Sequence, residues 1–264
     1  MKKIAKVIVA VILATSMAFA TAADNSIYVD QMGDNSTVSI TQDGAGNTVR
    51  GIQGVGTSNA TPAKIYGDGT LLSVSQIGTG STLNLGVTST IASGAGSGTS
   101  VTYSVTGNNA TATINSNADG QGVSASNTIG ISQSGNNASV NVNVLGTSNQ
   151  LSVTTAGGSN NSVTSTQNGD NNNTMISNTG GGGNTTITNQ QSDKGMISVT
   201  TVGASNTTTI AQNGGGVNGH QATVDITGSS NTTSIIQSGT SGDNITNLKS
   251  VGSTNTFTII QNTH

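Results

Sequence analysis

The stretch "NTTSIIQSG", Asn231 to Gly239, places an amide at each end of a seven-residue arc and a glycine two residues later; "NTFTIIQ", Asn255 to Gln261, repeats the arc. An even spacing of six decides the geometry. In a strand, residues i, i+2, i+4 and i+6 share one side, so Asn231, Thr233, Ile235 and Gln237 lie on one face, as do Asn255, Phe257, Ile259 and Gln261. On a helix, residues six apart lie well round the cylinder from one another.

The Asn-to-Gln spacing recurs throughout, in Asn25/Gln31, Asn47/Gln53, Asn127/Gln133, Asn161/Gln167, Asn184/Gln190, Asn206/Gln212, Asn231/Gln237 and Asn255/Gln261. Ser36/Gln42 and Thr70/Gln76 keep it with a hydroxyl in first place. Gly33, Gly44, Gly78, Gly135, Gly169, Gly214 and Gly239 follow two residues after a Gln, where a residue tolerant of positive φ suits a tight corner. Between these arcs stand weaker copies that keep the terminal Gly, such as "NQLSVTTAG" from Asn149, "NNTMISNTG" from Asn172 and "HQATVDITG" from His220. Over the last hundred residues strong and weak arcs alternate, giving a unit of about 22 to 25 residues.

The expected fold is all-β: a β-solenoid of about ten strand-turn-strand-turn coils, roughly 50 Å long at ~4.8 Å per coil. Stacking sets equivalent amides within bonding distance, so the Asn and Gln columns are expected to form internal ladders. An unpaired buried amide costs about 1–3 kcal/mol, so the ladders fix which coil stacks on which. Pro62, "TSTIASGAGSGTS" and "NSNADGQGVSAS" break the spacing and read as longer loops.

Composition agrees with a repeat held by backbone and amide bonds. Of 264 residues only 31% are hydrophobic, 2% aromatic and 6% charged, which is poor material for an ordinary globule. Val, Ile and Thr occur throughout, unlike in most disordered chains. Lys2, Lys3 and Lys6 precede "VIVAVILATSMAFA", so residues 1–23 read as a secretory signal peptide and residues 24–264 as a single repeat domain. A retained anchor is the alternative, but the apolar run is short for a span, and no later segment is long and apolar enough. Beyond the leader, Arg50, Lys64, Lys194 and Lys249 face ten aspartates, a formal charge of −6 that disfavours nucleic acid as a partner. There is no Cys for a disulfide framework.

The pattern of Ser or Asn, five residues, Gln, one residue, Gly, then Asn, five residues, Gln resembles the curlin repeat of bacterial functional amyloids; "SIYVDQMGDNSTVSITQDGAGNTVRGIQ", from Ser26, carries it most closely. The resemblance implies a curli-type subunit exported by a Gram-negative bacterium and assembled at the cell surface into cross-β fibres of the biofilm matrix. It implies self-association as the main partnership, with a nucleator subunit, a secretion pore and chaperones as further partners. Two features depart from the family's major subunits: they have far fewer repeats, and they carry a spacer between leader and first repeat, whereas here the first repeat starts at Asn25.

Enzymatic function has little support, because there is no Glu or Cys and only His220 and His264 offer a base near neutral pH. His220 falls at an Asn-equivalent position, which favours a structural role. No calcium-loop, phosphate-loop or cofactor motif is present, and no cofactor is expected. Two other functions compete with the fibre. Outward hydroxyls at Thr164, Thr209, Ser234 and Thr258, beside Ser162, Thr185, Thr207, Thr232 and Thr256, form the kind of array that orders water in an ice-binding solenoid; a non-polymerising surface adhesin is the second. A monomeric solenoid needs polar caps. The arc "NTFTIIQ" carries Phe257, Ile259 and Ile260 instead, so stacking on other copies is expected.

Overall fold

The computed structural model describes residues 9–11, 24–52, 61–88, 98–116, 126–214 and 217–263. Among these residues every regular element is a strand. They form two parallel sheets, one of ten strands and one of twelve, whose members alternate along the chain. The fold is therefore the expected β-solenoid.

In the twelve-stranded sheet, two rungs are split. Ser26–Ile27 and Val29–Met32 form one, Thr48–Arg50 and Ala63–Tyr66 the next, so twelve strands make ten rungs. The ten-stranded sheet contains nine rungs, from Thr37–Ala45 to Ile245–Val251, and Val9–Val11 lying along Thr37–Ala45. Nine full coils and one further strand, Thr256–Thr263, result.

From Thr128 onward each coil takes 22 to 25 residues, as in the pairs Thr128↔Gln150, Thr185↔Thr207 and Thr207↔Thr232. Apart from the step from Ser26 to Thr48, earlier coils are longer: Thr48 pairs with Thr82, Leu71 with Ser100 and Thr111 with Ser139. The excess at Pro62 sits inside a rung. Arg50 pairs with Asn84 and Lys64 with Gly86, so thirteen residues, 51–63, occupy the place of the single residue Leu85. The backbone N–H of Gly51 donates to the Thr61 carbonyl (2.7 Å) and joins the two sides of this insertion. Of the other two breaks in spacing, residues 89–97 and 117–125 lie outside the described residues.

The strands bury alternate residues, as the even spacing requires. Inside runs a narrow core in register from coil to coil; one column is Ile131, Val153, Ile176, Val199, Val224 and Leu248. Its make-up changes along the axis. The early coils pack Leu83, Leu85, Val101, Tyr103 and Val105, whereas the later ones also bury Ser165, Thr186, Thr188, Thr208 and Thr233.

Corners combine two backbone features. Glycine at the end of a strand takes positive φ, as at Gly228 (133°), where a Cβ would collide with the carbonyl oxygen of Gly252 in the next coil. A second positive φ falls on the residue before many of the Asn-type positions, as at Asn160 (62°), Ser205 (57°) and Thr254 (63°). All seven glycines singled out from the sequence, Gly33, Gly44, Gly78, Gly135, Gly169, Gly214 and Gly239, have positive φ.

Candidate functional site: amide ladders and open edges

The Gln column forms a true amide ladder. Gln167 Nε2 donates to Gln190 Oε1 (3.1 Å), Gln190 to Gln212 (3.0 Å), Gln212 to Gln237 (2.9 Å) and Gln237 to Gln261 (3.0 Å). Every bond points the same way along the axis. The second N–H of the amide reaches a backbone carbonyl across the core, as from Gln212 to Met196 (3.1 Å) and from Gln237 to Gln221 (2.9 Å). Thr174 and Thr246 supply hydroxyl donors to Gln190 (2.6 Å) and Gln261 (2.7 Å) from the opposite wall. This set of contacts holds buried amides that a purely apolar core would leave unpaired.

The Asn column works differently from the side-chain ladder expected. Each Asn carbonyl chiefly accepts the backbone N–H of the equivalent residue one coil on: Asn161 from Asn184 (3.1 Å), Asn184 from Asn206 (3.0 Å), Asn206 from Asn231 (2.9 Å) and Asn231 from Asn255 (2.9 Å). Its NH₂ donates to the corner glycine carbonyl of the preceding strand in the next coil, as from Asn184 to Gly203 (2.7 Å) and from Asn231 to Gly252 (2.9 Å). Asn206 Nδ2 also donates to Asn184 Oδ1 (3.1 Å) and Asn231 Nδ2 to Asn206 Oδ1 (3.0 Å), two amide-to-amide bonds within the column. Short Asn side chains thus cap the corners, while longer Gln side chains bridge the coils.

A second Asn column runs along the ten-stranded sheet, and Asn127, expected in a single ladder with the other Asn residues, belongs to it. Asn127 accepts from Asn149 N–H (2.9 Å), Asn149 from Asn172 (2.9 Å) and Asn172 from Gly195 (2.8 Å). His220 and Asn244 follow. His220 is fully buried; its Nδ1 accepts the Asn244 N–H (3.1 Å), leaving Nε2 to donate to the Asn213 carbonyl (3.3 Å). The imidazole takes the place of an Asn amide. The sequence signal was present, since Asn149, Asn172, His220 and Asn244 begin the weaker arcs.

The early Gln residues divide between the walls. Gln42 donates to Gln76 (2.8 Å) on the ten-stranded sheet, but Gln76 is next beside Val105, so that ladder has two rungs. Gln133, on the same sheet between Val105 and Thr155, bonds to the Thr111 carbonyl (3.4 Å) and belongs to no amide ladder. The five-rung ladder from Gln167 lies on the other wall. Gln31, partly exposed, donates to the Gly33 carbonyl (3.0 Å), and Asn25, exposed, donates to Gly44 (3.0 Å) and accepts from Asn47 N–H (2.9 Å). The strand register puts Ile65 beside Gln31, and Gln53 lies outside the described residues.

The C-terminal end of the stack is an open edge among the described residues, whereas at the other end Val9–Val11 lies along Thr37–Ala45 and only the Ser26–Met32 rung lacks an outer neighbour. Thr256–Thr263 has a strand neighbour on one side only, and its inward row, Phe257, Ile259 and Gln261, is half-exposed. Ile245, Val251 and Ile260 are 58%, 69% and 67% exposed around it. At the other end, Ile27, Tyr28 and Met32 are exposed beside Asp24, Asp30, Asp34 and Asp43. On the outer face, Ser162, Thr185, Thr207, Thr232 and Thr256 stack in one column, and Thr164, Ile187, Thr209, Ser234 and Thr258 in another. Among the described residues no group of three or more His or Asp side chains is placed to hold a metal, and no helix is long and apolar enough to cross a membrane.

No family model matches the chain, and comparison with curated proteins and with solved structures gives no match.

Proposed function

We propose that this chain is a secreted structural subunit that polymerises end to end into cross-β fibres at the surface of a Gram-negative cell. The observation that carries this reading is the open edge at Thr256–Thr263. The Gln ladder reaches that edge at Gln261, and the half-exposed Phe257 and Ile259 prolong the core columns to it. Both features favour a further in-register strand. A nucleator subunit, a secretion pore and chaperones of a curli-type system are the accompanying partners, and biofilm matrix and adhesion are the role. The inward face is filled by packing and ladder residues.

The test is thioflavin T fluorescence of residues 24–264 after dilution from denaturant at neutral pH, with and without preformed seeds. A lag abolished by seeds is the expected result. A flat trace from a folded β-rich monomer would overturn it. The outward Thr column supports ice binding as a second reading, because its members stack in register at the strand spacing. Thermal hysteresis from that flat-trace monomer would establish ice binding in place of the fibre.

A further inference from the structure

The two walls are equivalent under a half-turn about the stack axis. Thr174, second in its strand, meets Gln190, sixth in its own (2.6 Å), and Thr186, second, meets Asn178, sixth (3.1 Å), so each position on one wall maps onto the same position on the other. Successive strands therefore climb as a screw, half a turn and half a strand spacing at a time. Residues 24–264 supply ten rungs to one wall and nine to the other, and their first and last rungs both lie on the twelve-stranded wall. The next place on the screw after Thr256–Thr263 belongs to the opposite wall. A second copy, whose first rung is Ser26–Met32, fills that place only when it is turned half a revolution. Val9–Val11 lies along the edge of Thr37–Ala45 that this contact covers, so the contact requires the leader to be gone.

The facing residues follow from the strand positions. Val38, Ile40 and Gln42 of the incoming copy stand over Phe257, Ile259 and Gln261, while Val29 and Met32 stand over Leu248 and Val251. Apolar side chains meet apolar ones, and amide meets amide. Gln42 donates to Gln76 (2.8 Å) in the same sense in which Gln237 donates to Gln261 (3.0 Å). The N–H that Gln261 does not donate to the Ile245 carbonyl (3.1 Å) therefore has Gln42 Oε1 as its acceptor, and the five-rung ladder runs on into the two-rung one.

The charges discriminate further. Asp225 stands beside Lys249 on the ten-stranded wall, and Asp30 beside Lys64 on the twelve-stranded wall. The half-turn stacks Asp30 on Lys249, both exposed, so one outer column reads Asp225, Lys249, Asp30, Lys64 through the contact. An unturned copy would set Asp30 on Ile260, and two C-terminal ends meeting about a two-fold axis would set Lys249 beside Thr258. Neither gives Lys249 a carboxylate from the second copy. We propose that copies of this chain join head to tail with a half-turn between neighbours, Thr37–Ala45 pairing in parallel with Thr256–Thr263 and Ser26–Met32 with Ile245–Val251, and that the Asp30–Lys249 pair selects this orientation. The contact rests on the fibre reading for its role. Long-range repulsion between chains of formal charge −6 governs their approach and hence the lag, whereas the Asp30–Lys249 pair acts once the ends touch and is read in seeded growth.

Seeded elongation of residues 24–264 tests the pair. Lys249→Gln should slow it about two- to fivefold at low ionic strength, the range of an exposed ion pair, and hardly at all at about 1 M salt. Lys194→Gln has the same net charge and no place at the contact, so equal slowing by both would overturn the pairing. Introduced thiols read the orientation, since the chain has no cysteine. Thr258 stands beside Ser39 after a half-turn and beside Tyr28 without one, within disulfide reach at ~4.8 Å between neighbouring strands, and all three are exposed. T258C is mixed with S39C or with Y28C and oxidised during growth. A T258C–S39C link in severalfold excess over T258C–Y28C is expected. Fibres in which T258C–Y28C dominates, or in which neither link forms, would overturn the half-turn and leave the fibre reading standing. A T258C–S39C link in soluble oligomers that never raise thioflavin T fluorescence would leave the junction standing and sink the fibre reading. A monomer that forms no link would overturn both.

Discussion

Replacing Gln212 by Glu tests whether the ladder stabilises the fold through its donors. Gln212 is buried, accepts from Gln190 (3.0 Å), and donates to Gln237 (2.9 Å) and to the Met196 carbonyl (3.1 Å). A carboxylate keeps the accepted bond but turns both donated bonds into contacts between acceptors. The buried carboxyl avoids this by staying protonated, at about 1.36 kcal/mol per pH unit above its ordinary value near 4.3, or about 3.7 kcal/mol at pH 7. A protonated acid still has one donor fewer than an amide, which adds about 1 kcal/mol. The sign follows from linkage: the unfolded chain ionises first, so the variant's stability falls as pH rises above about 4.3. Urea unfolding followed by circular dichroism should show a loss of about 4–5 kcal/mol at pH 7 and about 1 kcal/mol at pH 3.5, where the acid is neutral in both states. Gln191→Glu, on the exposed face of the adjacent coil, should change stability by less than about 0.5 kcal/mol at either pH. An equal loss at both pH values for Gln212→Glu would refute the ladder as the source of the effect.

Further outcomes follow from the corners, the core and the acidic end. Gly228→Ala places a Cβ against the Gly252 carbonyl at φ 133° and should cost at least about 2 kcal/mol in urea; Gly130→Ala, whose nearest contact is Leu151 O at 3.9 Å, should stabilise by about 0.4–1 kcal/mol. Tyr103 is fully buried with no hydroxyl partner among the described residues, and burial pushes its phenol well above the ordinary range. Tyr103→Phe should therefore raise the unfolding midpoint. It should also reduce the loss of stability as pH climbs above about 10, where the unfolded tyrosine ionises and the buried one does not. An unchanged midpoint and alkaline profile would show the hydroxyl to be satisfied. Replacing Asp30, Asp34 and Asp43 together by Asn should shorten the fibre lag at low salt; an unchanged lag would remove like-charge repulsion as the brake.

Much of the architecture was legible because parity is a local property. A spacing of six puts Asn231 and Gln237 on one face whatever surrounds them, and the positive φ at Gly239 or Gly228 needs a glycine irrespective of the neighbouring coil. The buried position of His220 followed from the same phase. What the chain could not reveal locally was which copy meets which. Gln133 and Gln167 are 34 residues apart, about a coil and a half, so one falls on each wall and only the second joins the five-rung ladder.

Sequence alone thus determined the strand faces, the corner residues and the repeat length, all of which depend on a few consecutive residues. Tertiary structure decided the register: it set Ile65 beside Gln31 and paired Asn side chains mainly with backbone, with amide-to-amide bonds from Asn206 to Asn184 and from Asn231 to Asn206. The physical reason is that register is a sum over every insertion between two rungs. The twelve extra residues after Arg50 leave each local arc unchanged, yet they move every later contact with the first coil.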